Sequence, residues 1–388
     1  MLDLNNYGIT MWDDEKIASF RRTLLAWYDE NKRDLPWRRT KNPYHIWVSE
    51  IMLQQTQVIT VIPYYTRFLE WFPTISDLAK APEEKILKAW EGLGYYSRVK
   101  NMQKAAQQVE EVFSGQFPSH YQDILSLKGI GPYTAGAIAS IAFQEPTPAV
   151  DGNVMRVLAR LFEVNYDIGD PKNIKLFQAI MTRLIDPERP GDFNQAFMDL
   201  GTDIESAKNP RPDESPIRFF SGAYLHGTMD KYPIKKPKKK PRPIHLEAFI
   251  IQNQKGEYLL EKNTQDKLLG GFWSFPMLEK KVIETQLDLF DTDNSRPVDF
   301  KSQKESFLEK YPLKITWSDY TFPLVKHVFS HQKWEIELIE GKALSDKLSS
   351  EKVLIWLPEK EFSNYPFATP QKKMWQNYQK IKQEKRAK

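Results

Sequence analysis

Apolar residues recur every three or four positions through the first half of the chain, the spacing of one face of an α-helix. The pattern is clear in five segments, residues 17–28, 44–62, 82–90, 135–143 and 154–162. Short turns that carry proline or glycine separate these segments, and no stretch alternates as a half-buried strand does. The pattern therefore predicts an all-α domain over residues 12–231.

The pattern changes after residues 232–243, which read YPIKKPKKKPRP. Prolines prevent a helix there and the lysines repel one another, so we predict an extended basic linker. Beyond it, segments 245–252 and 257–262 flank a turn at Lys255-Gly256 as in a hairpin, and 333–340 and 352–357 are further strand candidates. We predict an α+β domain over residues 244–376, followed by a disordered tail, rich in lysine and glutamine, over residues 377–388.

Composition narrows the class of protein. The chain has 388 residues, of which 41% are hydrophobic and 13% aromatic, enough for two ordinary cores. It lacks a secretory signal and any apolar run of membrane length, so we expect a soluble protein of the cytoplasm. The net charge of +4 is mild and proves no partner. The absence of cysteine excludes disulfides, thiolate metal sites and cysteine nucleophiles.

A glycine turn precedes one of the predicted helices. Residues 127–135 read LKGIGPYTA, in which Gly129 and Gly131 allow a tight turn and close approach of a partner to the backbone. Free N–H groups at the start of the next helix bind phosphate, so the segment favours a helix-hairpin-helix that grips a DNA backbone without reading sequence. The alternative is a tight turn between two core helices.

Two carboxylates occupy unusual settings. Glu50 lies on an almost wholly apolar helix, which predicts burial, a raised pKa and a role as a general acid. The alternative is a glutamate on the one solvated stripe of that helix. Asp151 lies three positions before the start of the segment 154–162, where a helix N-cap would by itself explain an aspartate.

Taken together, the motifs resemble the adenine-specific DNA glycosylases of the helix-hairpin-helix base-excision superfamily, the bacterial MutY type. The matching stretches are LPWR 35–38, WVSEIMLQQTQV 47–58, GLGYYSR 92–98, LKGIGPYTAGA 127–137, VDGNVMRV 150–157, FNQAFMDLG 193–201, LLGGFWSFP 268–276 and FSH 329–331. Their order and spacing match as well. The resemblance implies a glycosylase domain followed by a Nudix-like domain.

The resemblance also implies a role for each matching residue. Glu50 would protonate the departing adenine, and Asp151 would stabilise the oxocarbenium ion left on the sugar, a division known from glycoside hydrolysis. Tyr133 and Asn153 would line this site. The remaining assignments are an adenine pocket of Leu35, Trp37, Arg38 and Gln195, stack-wedging residues Gln55 and Tyr95, and hairpin contacts from Gly129, Gly131 and Thr134.

Tyr133 decides the expected reaction type. Related bifunctional enzymes carry a lysine at this hairpin position and form a Schiff base with the sugar, which tyrosine cannot do. The resemblance therefore implies a monofunctional enzyme that hydrolyses the N-glycosidic bond and leaves an abasic site.

The chain departs from the family where four cysteines usually hold an iron–sulfur cluster. Aligned without gaps from Gly201, those cysteines fall at Glu205, Pro212, Ser215 and Ser221, so we expect no cluster, no metal and no other cofactor. Glu205 with Asp213 and Glu214 offers oxygen ligands for a hard cation, but packing is the simpler way to hold this loop. We expect Phe219, Phe220 and Tyr224 to fill the space, and Lys208, Arg211 and Arg218 to contact DNA phosphates.

The resemblance implies recognition rather than hydrolysis by the second domain. Its residues 279–284 lack the glutamate spacing of a Nudix metal site, and its loop Phe329, Ser330 and His331 matches the loop that reads 8-oxoguanine. The expected function is removal of adenine mispaired with 8-oxoguanine or guanine by a monomer acting on duplex DNA in a bacterial cytoplasm. The alternatives are a glycosylase for thymine glycol or mismatched thymine, and a non-catalytic lesion-binding protein.

Overall fold

A computed structural model describes residues 2–237, 240–264, 268–280, 300–348 and 353–386. The chain forms two compact units. The first unit comprises residues 1–81 and 97–238, and the second comprises residues 82–96 and 239–388. The segment 82–96 therefore belongs with the C-terminal part of the chain, which the linear order of the motifs did not predict.

The first unit is built of helices, and its described residues contain no strand. Its helices are α1 Asp14–Asn31, α2 Pro43–Leu53, α3 Val58–Trp71, α4 Ile75–Lys80, α6 Ser97–Val112, α7 Tyr121–Ser126, α8 Pro132–Phe143, α9 Gly152–Leu161, α10 Ile174–Leu184, α11 Pro190–Asp203 and α12 Gly222–Leu225. The all-α prediction for this domain is confirmed. The apolar pattern at 44–62 does not correspond to one continuous helix, because a turn around Gln55, whose φ is 59°, separates α2 from α3.

Apolar faces of α1, α9, α10 and α11 meet in the core of the first unit, around Phe20, Leu158, Phe177 and Phe197, all completely buried. Helix α1 begins where Asp13 accepts a hydrogen bond from the Lys16 amide at 2.7 Å, an N-cap interaction. Burial of these side chains supplies the main driving force for folding. It also fixes α9 and α11 as the rigid support of the site described below.

The second unit is built on a mixed sheet. Its strands are β1 Arg242–Gln252, β2 Tyr258–Lys262, β3 Trp273–Ser274, β4 Met277–Glu279, β5 Ile315–Trp317, β6 Val325–Val328, β7 Gln332–Ala343 and β8 Leu354–Leu357. The central path runs β3-β2-β1-β7-β5, with β1 and β7 parallel and the other pairs antiparallel. The predicted hairpin is present, with Gln252 opposite Tyr258 and Gly256 at a φ of 83°.

The described residues of the second unit also form the helices α5 Glu83–Ala89, α13 Phe300–Lys310 and α14 Thr369–Arg386. Phe307 of α13 packs on Phe249 of β1 with ring centroids 4.4 Å apart. The expected sequence of a helical domain and an α+β domain is confirmed. Some predictions fall on residues outside the described ranges. They concern residues 281–284, which were compared with a Nudix metal site, residues 238–239 of the linker, and residue 352 of the strand predicted at 352–357.

The prediction of a disordered tail from residue 377 is wrong as far as Arg386, because α14 continues to that residue. Met374 is fully buried and Tyr378 is 4% exposed, so the helix has an anchored face. Tyr378 donates a hydrogen bond to Glu340 at 2.7 Å, and Lys382 forms an ion pair with the same carboxylate. The composition of this segment does not indicate these tertiary contacts, which is why a tail was predicted. Residues 387–388 of the predicted tail lie outside the described residues.

The predicted linker begins against the first unit. The Ile168 amide donates to the carbonyl of Ile234 at 3.0 Å, and the guanidinium of Arg160 donates to the carbonyl of Tyr232 at 3.3 Å. Strand β1 begins at Arg242, two residues before the predicted start of the second domain. The N-terminal part of the basic segment is therefore held in place, although it forms no helix or strand.

Candidate active site

A cavity of about 910 Å³ opens in the first unit. Residues from α2, α8, α9, α11 and the turn Pro36–Arg38 form its wall. Nine residues singled out from the sequence line it, namely Leu35, Trp37, Arg38, Glu50, Gln55, Tyr133, Asp151, Asn153 and Gln195. The fold thus gathers groups that lie up to 160 positions apart in the chain around one space of a size that suits a small ligand.

Helix α2 presents Glu50 to this cavity from an otherwise buried setting. The helix begins at Pro43, where the side chain of Asn42 accepts a hydrogen bond from the Tyr44 amide at 2.9 Å. Every residue of α2 from Ile46 to Met52 is buried, and Glu50 itself is 6% exposed. The alternative that Glu50 lies on a solvated stripe is therefore wrong.

The surroundings of Glu50 favour its protonated form. Burial raises the pKa of Glu50 to about 7, and the nearby charge of Asp151 adds to that effect. Tyr133 donates a hydrogen bond to Oε2 of Glu50 at 2.7 Å, and this bond and the charge of Arg38 oppose the rise. A carboxyl group with a pKa near neutrality can give up a proton at physiological pH, as a general acid must.

Asp151 is the N-cap of α9. One of its oxygens accepts from the amides of Asn153 and Val154, both at 2.8 Å, and the other accepts from Nδ2 of Asn153 at 2.9 Å. Burial raises the pKa of Asp151, while these hydrogen bonds and the charge of Arg156 favour the carboxylate. The cap interpretation is confirmed, and the same residue also lines the cavity.

Asn153 is held in one orientation. Arg156 donates to its Oδ1 at 2.8 Å, which leaves Nδ2 to face Asp151. Arg156 also donates to the carbonyls of Gly201 and Glu205, at 2.5 and 2.7 Å. The carboxylate of Asp151 is thereby connected, through Asn153 and Arg156, to the C-terminal end of α11 and to the residues that follow it.

Arg38 meets a carboxylate that sequence reasoning missed. Its two terminal nitrogens donate to the two oxygens of Asp199, at 2.7 and 2.9 Å. Arg33 donates to the same carboxylate through Nε at 3.1 Å. Both Arg33 and Asp199 line the cavity. Asp199 lies four residues after Gln195 on α11, so the helical spacing from a recognised residue was a signal that could have found it.

The other predicted pocket residues, Leu35, Trp37 and Gln195, are all buried. Trp37 is 5% exposed and packs edge-on against Tyr65, with ring centroids 5.4 Å apart, and Leu35 is 6% exposed. The side chain of Gln195 donates to the Gly191 carbonyl at 3.2 Å. Leu35 and Trp37 therefore give the cavity an apolar surface, and the carboxyl and guanidinium groups supply its charged lining.

The glycine turn at 127–135 has the predicted helix-hairpin-helix form, with α7 before it and α8 after it. Gly129 has a φ of 78°, and a Cβ there would lie 2.6 Å from Cβ of Asn101, so the turn requires glycine. Gly131 is the N-cap of α8 and has open space around it. The side chain of Thr134 is buried and accepts from Gln54 at 3.3 Å, which leaves its backbone for any phosphate contact.

Tyr95 and the loop 329–331 are not among the residues that line the cavity, and they belong to the second unit. The loop forms the tip of the hairpin between β6 and β7, closed by a 2.7 Å bond from the Phe329 amide to the Gln332 carbonyl. Phe329 is partly buried against Trp334, whereas Ser330 and His331 are exposed. The hydroxyls of Tyr95 and Ser330 share a 2.9 Å hydrogen bond.

Glu205 and Ser221, two of the four positions at which the resemblance would place cysteines, form a polar lock together with Arg160. The guanidinium of Arg160 donates to Oε2 of Glu205 at 2.6 Å, and Ser221 donates to the Arg160 carbonyl at 3.1 Å. The carboxyl group of Glu205 is 4% exposed, so it is engaged in this lock and not available as a cation ligand. Among the described residues, no group of three or more acidic or histidine side chains has the geometry of a metal site.

The expectation that three aromatic residues fill this region is partly wrong. Phe220 packs on Phe20 with ring centroids 5.4 Å apart, as expected. Phe219, however, is 65% exposed and stacks on the guanidinium of Arg218, and Tyr224 donates to Asp213 at 3.0 Å. One apolar anchor and one buried ion pair hold the loop.

Comparison with protein families matches both units. Residues 48–183 match the family described as HhH-GPD superfamily base excision DNA repair protein, and residues 247–377 match the NUDIX domain. None of the helices in the described ranges is both long and apolar enough to cross a membrane.

Individual relatives agree with these family matches. Human adenine DNA glycosylase is 33% identical over 429 aligned positions that cover 95% of this chain and 75% of the human protein. The adenine DNA glycosylase of Buchnera aphidicola subsp. Baizongia pistaciae is 38% identical over 66% of this chain and 73% of its own length. A solved thermostable thymine-DNA glycosylase aligns with 55% of this chain and 98% of its own, at 27% identity and a TM-score of 0.50.

Proposed function

The chain belongs to the adenine DNA glycosylases, and from that premise we propose that it removes adenine mispaired with 8-oxoguanine or guanine from duplex DNA, as a monofunctional enzyme without a metal. Adenine excision in base-excision repair, by hydrolysis of an N-glycosyl bond in DNA, follows from the family itself. The choice of mispair, the reaction type and the residue roles are the proposal.

The pairing of Tyr133 with Glu50 carries the proposal. Adenine leaves the sugar readily only as a neutral base, so the departing base must receive a proton. Glu50 lines the cavity with a pKa of about 7 because of its burial, and the Tyr133 hydroxyl fixes its orientation through the 2.7 Å hydrogen bond. In this proposal Glu50 is the general acid and Tyr133 orients it.

Asp151 takes the opposite role. Loss of the base leaves positive charge on the sugar, which a nearby carboxylate stabilises electrostatically. The amides of Asn153 and Val154 and the Asn153 side chain donate to both oxygens of Asp151, so its negative charge has a fixed place at the cavity wall. Asn153 acts by holding this carboxylate, and water completes the hydrolysis.

The monofunctional reaction rests on what surrounds the sugar site. A lyase needs an amine nucleophile to form a Schiff base. Tyr133 occupies the hairpin position, burial raises the pKa of its hydroxyl, and its proton is engaged with Glu50. Within the described residues, the lining of the cavity includes arginines but no lysine.

The adenine pocket is assigned to the wall of Leu35, Trp37, Arg38 and Gln195. A glycosylase must extrude its target base from the duplex, and a buried aromatic surface compensates for the lost stacking. Gln55 and Tyr95 have positive φ angles, of 59° and 49° respectively. Each of them is assigned to insertion into the base stack, where extrusion leaves a gap. The N-terminus of α8 behind Gly129 and Gly131, with the Thr134 backbone, is assigned to DNA phosphates.

Recognition of 8-oxoguanine is assigned to the hairpin tip 329–331. Oxidation adds O8 and an N7–H donor to guanine, and only polar groups placed at those atoms can sense the difference. Ser330 and His331 are the exposed polar groups of that tip, and Phe329 anchors it against Trp334. Tyr95 adds a second hydroxyl at hydrogen-bonding distance from Ser330.

The residues present do not fit an iron–sulfur cluster. Such a cluster requires thiolate ligands, and the sequence has no cysteine. Glu205 forms an ion pair with Arg160, and Ser215 and Ser221 offer only hydroxyl groups in buried positions. We assign no cofactor to the reaction. The protein is expected to act as a monomer on DNA in the cytoplasm.

Single-turnover cleavage of duplexes with one defined mispair tests the proposal. Adenine opposite 8-oxoguanine should be released fastest, adenine opposite guanine more slowly, and thymine glycol not at all. Strand scission should need subsequent alkali, because a monofunctional enzyme leaves an intact abasic strand. Alkali-independent nicking would refute the monofunctional assignment, and equal rates opposite 8-oxoguanine and guanine would refute the recognition assignment.

A further inference from the structure

Asp199 is a nearly completely buried carboxylate in the wall of the cavity. The residue is 1% exposed and lies near the end of α11. Its two oxygens accept hydrogen bonds from Arg38 and Arg33, and all three side chains line the cavity. A buried charge is costly unless it is paired and hydrogen-bonded, so this arrangement is a built feature of the wall rather than a surface ion pair.

The geometry fixes Arg38 in a single orientation. Its two terminal nitrogens form a fork with Asp199, at 2.7 and 2.9 Å, and its guanidinium lies 5.6 Å from the centre of the Tyr28 ring. Its Nε is buried and has no protein hydrogen-bond partner within the described part of the chain. Burial of a guanidinium is unfavourable without partners, so the fork with Asp199 is the interaction that compensates for it.

The same carboxylate sets the charge next to the acid. Besides burial, three groups on neighbouring elements shift the pKa of Glu50: Tyr133 on α8, Asp151 before α9, and Arg38. The positive charge of Arg38 favours the carboxylate form of Glu50, which cannot donate a proton. Asp199 partly neutralises that charge, because both of its oxygens face the guanidinium.

We propose that Asp199 is a positioning residue of adenine excision, which holds the Arg38 guanidinium where it can meet the extruded base and limits the effect of its charge on Glu50. This inference rests on the proposed function, since it assigns Arg38 to the base. Asp199 acts through Arg38 and touches neither the base nor the sugar.

The test compares Asp199→Asn with Asp203→Asn in the full chain. Asp203 is a matched control, because its carboxylate lies 3.9 Å from Nε of the same Arg33 but is 42% exposed. Single-turnover release of adenine opposite 8-oxoguanine should slow about 100-fold in Asp199→Asn, as expected when a binding group is misplaced by about 1 Å. Asp203→Asn should stay within about threefold of wild type, as for an exposed charge pair.

A double-mutant cycle with Arg38→Gln separates positioning from a general structural role. If Asp199 acts through Arg38, adding Asp199→Asn to Arg38→Gln should slow the reaction by less than about threefold further. Effects that multiply in the double variant would overturn the proposal. So would a rate for Asp199→Asn within about threefold of wild type.

The pH profile supplies a readout that a purely structural role would not move. Without the Asp199 charge, Arg38 should favour ionised Glu50 more strongly, so the fall in rate with rising pH should occur at lower pH than in wild type. An unchanged midpoint would overturn the electrostatic part of the proposal. Melting curves of the same preparations establish that each variant is folded at the assay temperature.

Asp199→Glu keeps the inference testable if Asp199→Asn fails to fold. It retains the charge but moves the carboxylate by one methylene, so adenine release should slow while the pH midpoint stays near that of wild type. A wild-type rate would overturn the proposal. Wild-type protein that released no adenine would refute the proposed function instead, so the two failures are distinguishable.

Discussion

The hydroxyl of Tyr95 lies 2.9 Å from Oγ of Ser330, although 235 positions separate the two residues. Both belong to the second unit, because the segment 82–96 packs with the C-terminal part of the chain. Tyr96 contributes to that packing with a ring contact to Phe272 at 4.2 Å. A chain shortened to end near residue 232 would therefore remove the partners of Tyr95 together with the hairpin tip, and point substitutions are the cleaner test of either.

The combined variant Ser330→Ala with His331→Ala should lose discrimination for the oxidised base. We expect adenine release opposite 8-oxoguanine to slow by the loss of about 1–3 kcal/mol of recognition, with a much smaller effect opposite guanine. Single-turnover rates on the two duplexes measure this difference. Tyr95→Phe removes the hydrogen bond to Ser330 but keeps the ring, so it measures the contribution of that bond separately. Equal slowing on both duplexes would mean that the tip only holds DNA.

Glu50→Gln should abolish adenine release while duplex binding is retained. The substitution keeps the shape and an acceptor for the Tyr133 hydroxyl but removes the transferable proton. In wild-type protein, release should fall as the pH rises through about 7, where Glu50 loses its proton. A residual rate within about tenfold of wild type, about 1.4 kcal/mol of barrier, would rule out Glu50 as the acid.

The same variant should be more stable than wild type at alkaline pH. The pKa of Glu50 is raised from 4.5 to about 7 by burial, so its contribution to stability is fully present below pH 4.5 and is lost as the pH rises through about 7. Glutamine does not titrate, so the free energy of unfolding of Glu50→Gln relative to wild type should increase across this window, by on the order of 3 kcal/mol. Urea denaturation at pH 5 and pH 8 measures the change, and a constant difference would contradict the burial effect.

Asp151→Asn should separate the cap from the chemistry. Asparagine caps a helix as well as aspartate does, but its amide would face Nδ2 of Asn153, which Arg156 holds in place. We expect a loss of about 1–2 kcal/mol in stability and a severe loss of adenine release. Asp13→Asn is the matched control, because Asp13 caps α1 outside the cavity lining. Full activity of Asp151→Asn would mean that Asp151 only caps the helix and has no role in the reaction.

Glu205→Gln should destabilise the protein far more than Glu214→Gln. Glu205 forms a buried ion pair with Arg160, and removal of one partner leaves an uncompensated buried charge, at a cost of about 3–5 kcal/mol. Glu214 pairs with Arg211 in the same region, but both side chains are more than half exposed. Thermal unfolding of both variants measures the contrast. Similar melting temperatures would show that the polar lock does not hold this loop.

Purified protein should be colourless, contain no stoichiometric iron or sulfide, and release adenine in the presence of chelators. The reason is that the sequence has no cysteine to bind a cluster. Elemental analysis and assays with and without EDTA check this expectation. Activity that EDTA abolishes and an added metal restores would contradict it.

Features that depend on neighbouring residues were determined by the sequence alone. The periodicity that marks α1, the glycine turn at Gly129 and the aspartate before α9 each involve contacts within a few positions of the chain. Burial of Glu50 was one of two interpretations that its almost wholly apolar helix left open, and the structure decided between them. The order of a helical domain and an α+β domain followed from the change in period after the basic linker.

Tertiary structure decided the features that join distant segments. Arg38 and Asp199 are 161 positions apart, and Tyr133 and Glu50 are 83 apart, so no local pattern indicates that these groups meet. The helix that replaces the predicted tail depends on the burial of Met374 and Tyr378 against the sheet domain. The physical reason is common to all three: caps and turns are satisfied within a few residues, whereas the partner of a buried charge or the cover of an apolar face is set by how whole elements pack.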